Sequence, residues 1–162
     1  LYTPLFKQLP FIGNLIIGII LGLVFLFTEG ALYGEINMMW TPFILATILS
    51  TIRELCKDAE DIRGDLNANF QTFPLKYGFI YTLWVIRILS VGLCFYSIIP
   101  WIMGQYGLIY LLSLIICVEI PLLYGVFFII KKESHSEDYS QIAHLMKIVT
   151  IMGIIVIFLS GF

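Results

Sequence analysis

The densest run of charge in this sequence lies between Arg53 and Asp65, with long apolar stretches on both sides of it. Asp58, Asp61 and Asp65 follow one another at spacings of three and four residues, and basic side chains stand among them. Mg²⁺ usually binds through one or two carboxylates together with phosphate oxygens and water. Because charge bordered by lipid is unfavourable and usually functional, we expect this segment to bind magnesium and a diphosphate.

A helix that continued past Ile52 into this segment would carry its acidic residues on one face. At 100° per residue, an arc of about 60° contains four carboxylates, namely Glu54, Asp58, Asp61 and Asp65. Neighbouring carboxylates repel one another, and bound divalent cations would remove that repulsion. Gly64 weakens a helix, which allows Asp65 to lie on the following loop instead.

Basic side chains complete the expected site, and Arg53 and Lys57 lie on the neighbouring arc. Arg53, Lys57 and Arg63 could neutralise the charge of a diphosphate. The alternative interpretation is an amphipathic helix at the membrane interface, with salt links among Arg53, Lys57 and Glu60 and with solvated aspartates.

The rest of the chain has the composition of a membrane protein. Hydrophobic residues make up 60% of the sequence and charged residues only 12%, whereas soluble domains carry about 25% charged residues. The net charge of −2 and the absence of a basic patch in the sequence give no reason to expect a nucleic-acid partner. The three cysteines form no CxxC pair, so neither a disulfide framework nor a zinc site is expected.

Five apolar runs predict an all-α, polytopic bundle of spanning helices, which need roughly 17 to 25 residues each. The predicted helices are Phe11–Phe27, Ile36–Ile52, Tyr77–Ile99, Tyr106–Ile130 and Ile142–Phe162. Gly13, Gly18 and Gly22 would let the first helix pack closely on another, and Pro121 predicts a kink in the fourth. Lys and Arg recur in the loops of one side only, which predicts that the Asp-rich loop is cytoplasmic in a plasma or inner membrane.

The charged segment is part of a longer pattern that resembles a known family. Residues 53–65 read R-E-L-C-K-D-A-E-D-I-R-G-D, and residues 72–78 read T-F-P-L-K-Y-G. This order is similar to the second Asp-rich motif of the UbiA superfamily of membrane prenyltransferases, R-E-x-x-K-D-x-x-D-x-x-G-D followed by T-L-P and a glycine. Tyr2 to Lys7 followed by Gly13 and Asn14 resembles that family's Y-x-x-x-x-K…G-N pattern before its fifth helix.

The resemblance implies that residues 1–162 form a single but incomplete transmembrane domain, helices five to nine of a nine-helix fold. It also implies Mg²⁺-dependent transfer of a prenyl group from a prenyl diphosphate to a lipid or aromatic acceptor within the membrane. Asp58, Asp61 and Asp65 would be the catalytic, magnesium-binding carboxylates. The residues implied in binding the diphosphate are Arg53, Lys57, Lys7 and Tyr2.

The sequence departs from the family pattern in two respects. The first Asp-rich motif, N-D-x-x-D-x-x-x-D, is absent from these residues, so we expect a part of a longer protein that is inactive alone. Phe73 stands where the family pattern has leucine. The K-D-x-E-D-x-x-G-D form resembles the digeranylgeranylglyceryl phosphate synthase-like and chlorophyll-synthase-like branches, which implies a geranylgeranyl donor and a glycerol-phosphate lipid acceptor.

Two other functions are compatible with the residues alone. A transporter whose acidic loop binds a cation would use ionisable side chains within the membrane, and Arg87 and Glu119 are the candidates. These two could also form a buried ion pair that joins two helices. A structural membrane subunit is the third interpretation.

Overall fold

The computed structural model describes residues 9–130 and 136–160. Within these ranges the regular structure is entirely helical, as the apolar runs predict. The helices are α1 (Ile12–Tyr33), α2 (Trp40–Glu60), α3 (Ile62–Asn67), α4 (Phe73–Tyr77), α5 (Phe79–Ile102), α6 (Leu108–Ile129) and α7 (Ser136–Ser160).

The five long helices confirm the predicted all-α bundle, but several of their boundaries differ from the predicted ones, and the last helix begins at Ser136 and not at Ile142. The first helix continues past Phe27 to Tyr33, and the second begins at Trp40 and runs through the charged segment to Glu60. Both extensions pass through polar residues. Contacts between α1 and α2 stabilise these extensions, and hydropathy alone does not reveal such contacts.

Four of the helices are long and apolar enough to cross a membrane, namely α1, α5, α6 and the Asp138–Leu159 part of α7. The predicted second span, α2, is not among them because its last two turns are charged. Its apolar residues instead lie in the middle of the core, where Ile52, Leu55, Cys56 and Ala59 are fully buried. This burial holds the charged end of α2 rigidly against the bundle.

Close packing at two glycines fixes the antiparallel pair of α1 and α2. A Cβ atom at Gly18 would collide with the Thr51 hydroxyl and the Thr47 carbonyl, and one at Gly22 with the Thr47 hydroxyl and the Phe43 carbonyl. The expectation that these glycines permit close helix contact is confirmed. Small residues at a membrane helix interface let backbones approach each other, and here they also fix the register.

Glu29, near the end of α1, connects α1 to the beginning of α2. Its carboxylate accepts hydrogen bonds from the backbone N–H groups of Asn37, Met38 and Met39, at 3.1, 2.7 and 3.0 Å. The first N–H groups of a helix have no partner within the helix, and a negative charge there is favourable. Glu29 therefore caps the beginning of α2 from α1.

We expect Glu29→Ala to lower the thermal unfolding midpoint of the detergent-solubilised protein by several degrees, because three backbone donors lose their acceptor. Size-exclusion chromatography after heating measures that midpoint. Glu35→Ala is the matched control, since the exposed Glu35 accepts a hydrogen bond from the Asn37 side-chain amide in the same loop and from no other described residue. Equal midpoints for the two variants would contradict the assigned cap.

The interruption expected around Pro121 takes the form of wide helical turns. Helix α6 contains π-helical turns at Ile115–Glu119 and Gly125–Ile129, separated by the α-helical Ile120–Tyr124. Proline has no N–H and clashes with the carbonyl four residues earlier. A π turn before Pro121 accommodates both effects without ending the helix.

Arg87 and Glu119 make separate contacts in the structure and do not form the ion pair considered above. The Arg87 Nη2 group donates to the Ile130 carbonyl at 3.2 Å and lies over the Trp84 and Phe127 rings. The Ser97 hydroxyl donates to the Glu119 carboxylate at 2.8 Å. Arg87 thus stabilises the C-terminal end of α6, where a cation is favourable.

Candidate functional site

The three aspartates lie where α2 ends and α3 begins, at one end of the bundle. Asp58 is half-buried on the last turn of α2, Asp61 is exposed at the junction, and Asp65 is 2% exposed within α3. The structure therefore brings Asp58 and Asp61 to an accessible position. Asp65 lies beneath them, inside the junction.

The prediction of one continuous helical stripe is wrong at Asp61. Helix α2 ends at Glu60, Asp61 has φ −97° and ψ 25°, and α3 begins at Ile62. The helical hydrogen bonds nevertheless continue, because the Asp61 N–H donates to the Lys57 carbonyl and the Asp65 N–H donates to the Asp61 carbonyl, each at 2.9 Å. The aspartates stay about one turn apart although the helix bends between them.

Gly64 has a different role from the one that helix propensity suggests. The bend lies three residues before it, and Asp65 remains helical. A Cβ atom at Gly64 would collide with the Asp61 carboxylate, which folds back over this glycine. Any larger residue would move Asp61, so Gly64 matters here for the space that it leaves.

The loop after α3 holds the junction from the other side. The Phe70 N–H donates to the Asp65 carbonyl at 3.0 Å, and Thr72, which precedes α4, is buried. Phe73 packs edge-on against Phe11, with ring centroids 6.1 Å apart. The phenylalanine that departs from the family pattern therefore joins α4 to the start of α1.

Asn14 connects α1 directly to the aspartates. Its side-chain Nδ2 group donates to Asp58 Oδ2 at 2.7 Å, and Asn14 is only 6% exposed. The sequence pattern includes Asn14 only as a part of a motif and predicts no role for it. A side-chain amide in an otherwise apolar helix indicates a buried polar contact. The sequence does not identify its partner, because Asp58 lies 44 residues away along the chain.

Glu54 holds two of the expected diphosphate-binding cations. Arg53 Nη1 lies 3.1 Å from Glu54 Oε1, and Lys57 Nζ lies 3.5 Å from Glu54 Oε2. Glu54 is 8% exposed, so its charge must be paired. Both interpretations of this segment therefore need correction. Glu54 was expected on the acidic stripe beside the aspartates, but it pairs with Arg53 and Lys57 within α2. The alternative interpretation assigned these salt links to Glu60, whereas Glu54 makes them.

The ion pairs do not satisfy the whole Arg53 guanidinium. Within the described residues, Arg53 Nε is buried and has no hydrogen-bond partner. Lys57 and Arg63 are exposed on the same segment. Lys7 and Tyr2, the other two expected contacts of the diphosphate, lie outside the described residues.

The donor chemistry fits a magnesium ion that is shared with a substrate. In the part of the chain that the structure describes, no three His, Cys, Asp or Glu side chains lie close enough to enclose a metal. Mg²⁺ rarely needs such a cage, because one or two carboxylates suffice when phosphate oxygens and water complete the octahedron. Asp58 and Asp61 offer such carboxylates next to Arg53 and Lys57.

Comparison with known proteins shows that the sequence matches a known family. The sequence model of the UbiA prenyltransferase family matches residues 1–151. The digeranylgeranylglyceryl phosphate synthase of Methanococcus maripaludis (strain C7 / ATCC BAA-1331) is 32% identical over 160 residues, which cover 99% of this chain and 56% of that protein. The digeranylgeranylglyceryl phosphate synthase of Haloquadratum walsbyi is 35% identical over 127 residues, 77% of this chain and 44% of that protein.

A solved structure agrees with these matches. It concerns digeranylgeranylglyceryl phosphate synthase in membranes, superimposes with a TM-score of 0.87 at 30% identity, and covers 98% of this chain and 56% of that chain. The present chain thus spans about half the length of the relatives that it matches. With its apolar helices it is an integral, multi-pass membrane protein. The chain belongs to the UbiA prenyltransferase family.

Proposed function

We propose that the protein transfers a prenyl group from a prenyl diphosphate to a lipid-soluble acceptor, with Mg²⁺ at the aspartates. The observation that carries this proposal is the α2–α3 junction, where Asp58 and Asp61 lie one turn apart at the end of the helix that also carries Arg53 and Lys57. Membership of a prenyltransferase family supports it, and enzymes of this type generally depend on a divalent metal.

In this proposal the acidic residues hold the metal and the basic residues hold the diphosphate. Asp58 and Asp61 would hold Mg²⁺ from the accessible side, Asp65 would support them from beneath, and the ion would offset the charge of the diphosphate. Arg53, Lys57, Lys7 and Tyr2 contact the phosphate oxygens. As the bond between the allylic carbon and the diphosphate oxygen breaks, negative charge grows on the leaving group, and these cations stabilise it.

The relatives support one choice of donor and acceptor. Their name, digeranylgeranylglyceryl phosphate synthase, favours a geranylgeranyl donor and an acceptor built on glycerol phosphate. The acceptor oxygen forms the new bond to the allylic carbon, loses its proton, and diphosphate leaves. The apolar walls of the bundle suit both isoprenoid chains.

We also propose how the protein is organised and oriented in the membrane. Residues 1–162 would form the part of one transmembrane domain that carries the second Asp-rich motif, and the first motif would lie outside this chain. The α2–α3 junction would face the cytoplasm, where Mg²⁺ and diphosphates are available. This chain alone would then be inactive.

An assay of prenyl transfer tests the proposed function. The full-length protein in nanodiscs is given geranylgeranyl diphosphate, Mg²⁺ and a glycerol-phosphate lipid that carries one geranylgeranyl chain, and products are identified by mass spectrometry. We expect an ether product with two chains that forms only when Mg²⁺ is present. Absence of product, or its formation in excess chelator, would refute the proposal.

A further inference from the structure

We propose that Asn14 is a positioning residue, which sets the orientation of the Asp58 carboxylate toward Mg²⁺ and the diphosphate. This inference depends on the proposed function, because it assigns Asp58 to the metal. It goes beyond that function by giving a defined task to a side chain on a different helix. The contact between Asn14 and Asp58 joins residues that are 44 positions apart in the sequence, so it depends on the fold.

The hydrogen bond itself restricts the carboxylate. Asn14 Nδ2 lies 2.7 Å from Asp58 Oδ2, a short distance for a bond between an amide and a charged oxygen. Asn14 is 6% exposed, so water cannot easily replace Asp58 as its acceptor, and an unsatisfied buried amide is unfavourable. Asp58 therefore has one favoured orientation before any ligand binds.

The packing of the two helices keeps Asn14 in place. Asn14, Gly18 and Gly22 recur every four residues on α1 and share its buried face toward α2. The two glycines contact Thr47 and Thr51 so closely that α1 cannot slide along α2 without a steric clash. At the far end, Glu29 caps α2. The distance between Asn14 and Asp58 is thus set by contacts along the whole helix pair.

The chemistry of an amide suits this task better than that of a cation. A lysine or arginine at the same position would also orient Asp58, but its positive charge would oppose a bound Mg²⁺. A neutral N–H donor orients the carboxylate and leaves its negative charge for the metal. Partners that orient metal ligands in this way typically contribute 10- to 100-fold to metal affinity.

The test measures how much Mg²⁺ is needed for binding of a labelled geranylgeranyl diphosphate by the full-length protein in nanodiscs. We expect Asn14→Leu and Asn14→Ala each to raise the half-saturating Mg²⁺ concentration by about 10-fold or more. Thr51→Val is the matched control, because it removes a buried hydroxyl from the same helix interface, one that donates to the Thr47 carbonyl. Thr51→Val should leave the Mg²⁺ requirement unchanged.

The outcomes separate this inference from the proposed function. If either Asn14 variant keeps the wild-type Mg²⁺ requirement and only its melting temperature falls, Asn14 merely joins two helices and the inference is refuted. If the wild-type protein shows no Mg²⁺-dependent binding at all, the proposed function itself fails. Two variants of different size are used so that a folding defect in one of them does not prevent a decision.

Discussion

Asp58→Asn is expected to reduce the rate of prenyl transfer by about 10²- to 10³-fold, the effect typical of losing one preorganised electrostatic group. Asparagine has nearly the same shape as aspartate, and its side-chain carbonyl can still accept the hydrogen bond from Asn14. The substitution therefore removes the negative charge and preserves the contact between α1 and α2. Product formation per unit time, at saturating geranylgeranyl diphosphate and Mg²⁺, measures the effect.

Glu60→Gln provides the matched control for the loss of one charge. Glu60 is an exposed residue on the last turn of α2, and its position is rotated by about 200° from that of Asp58. We expect this variant to retain the wild-type rate. Equal losses in the two variants would mean that only the overall charge of the segment matters, and that Asp58 has no specific role.

Gly18→Leu is expected to destabilise the protein by about 3 kcal/mol or more, at the upper end of the range for overpacked cores. The new side chain would meet the Thr51 hydroxyl and the Thr47 backbone carbonyl. A backbone carbonyl cannot rotate away, so α1 and α2 must separate. Because α1 carries Asn14, the same separation should weaken Mg²⁺-dependent binding of the diphosphate.

The matched control for this prediction is Gly92→Leu in α5. A Cβ atom at Gly92 has no neighbour within 4 Å, and leucine has a higher helix propensity than glycine. We expect its melting temperature, measured by fluorescence-detected chromatography after heating, to equal or exceed that of the wild type. A Gly18→Leu protein as stable as Gly92→Leu would show that the close contact between α1 and α2 is not required.

The helices could be predicted from the sequence because they depend on local composition. Apolar runs of membrane length identified all five long helices. The end of α1 and the beginning of α2 could not be predicted, because they depend on a contact between the helices, the cap that Glu29 forms on the N–H groups of residues 37 to 39. Hydropathy describes a segment by itself and contains no information on such partners.

The candidate site was predictable in its residue types and less so in its geometry. The spacing of Asp58, Asp61 and Asp65 identified the acidic residues, whose magnesium-binding roles remain predictions. The bend at Asp61 was not foreseen, because it accompanies the packing of the Asp61 carboxylate over Gly64. The partner of Asp58 was also missed, since Asn14 lies on another helix and only the fold brings the two together.

The decisive experiment is binding of geranylgeranyl diphosphate to the full-length protein in nanodiscs, measured with and without Mg²⁺. The comparison includes wild type, Asp58→Ala and Asp61→Ala. We expect binding that requires Mg²⁺ in the wild type and is lost in both variants. Binding that is absent from the wild type, or that is unaffected by both substitutions, would contradict a metal and diphosphate site at the α2–α3 junction.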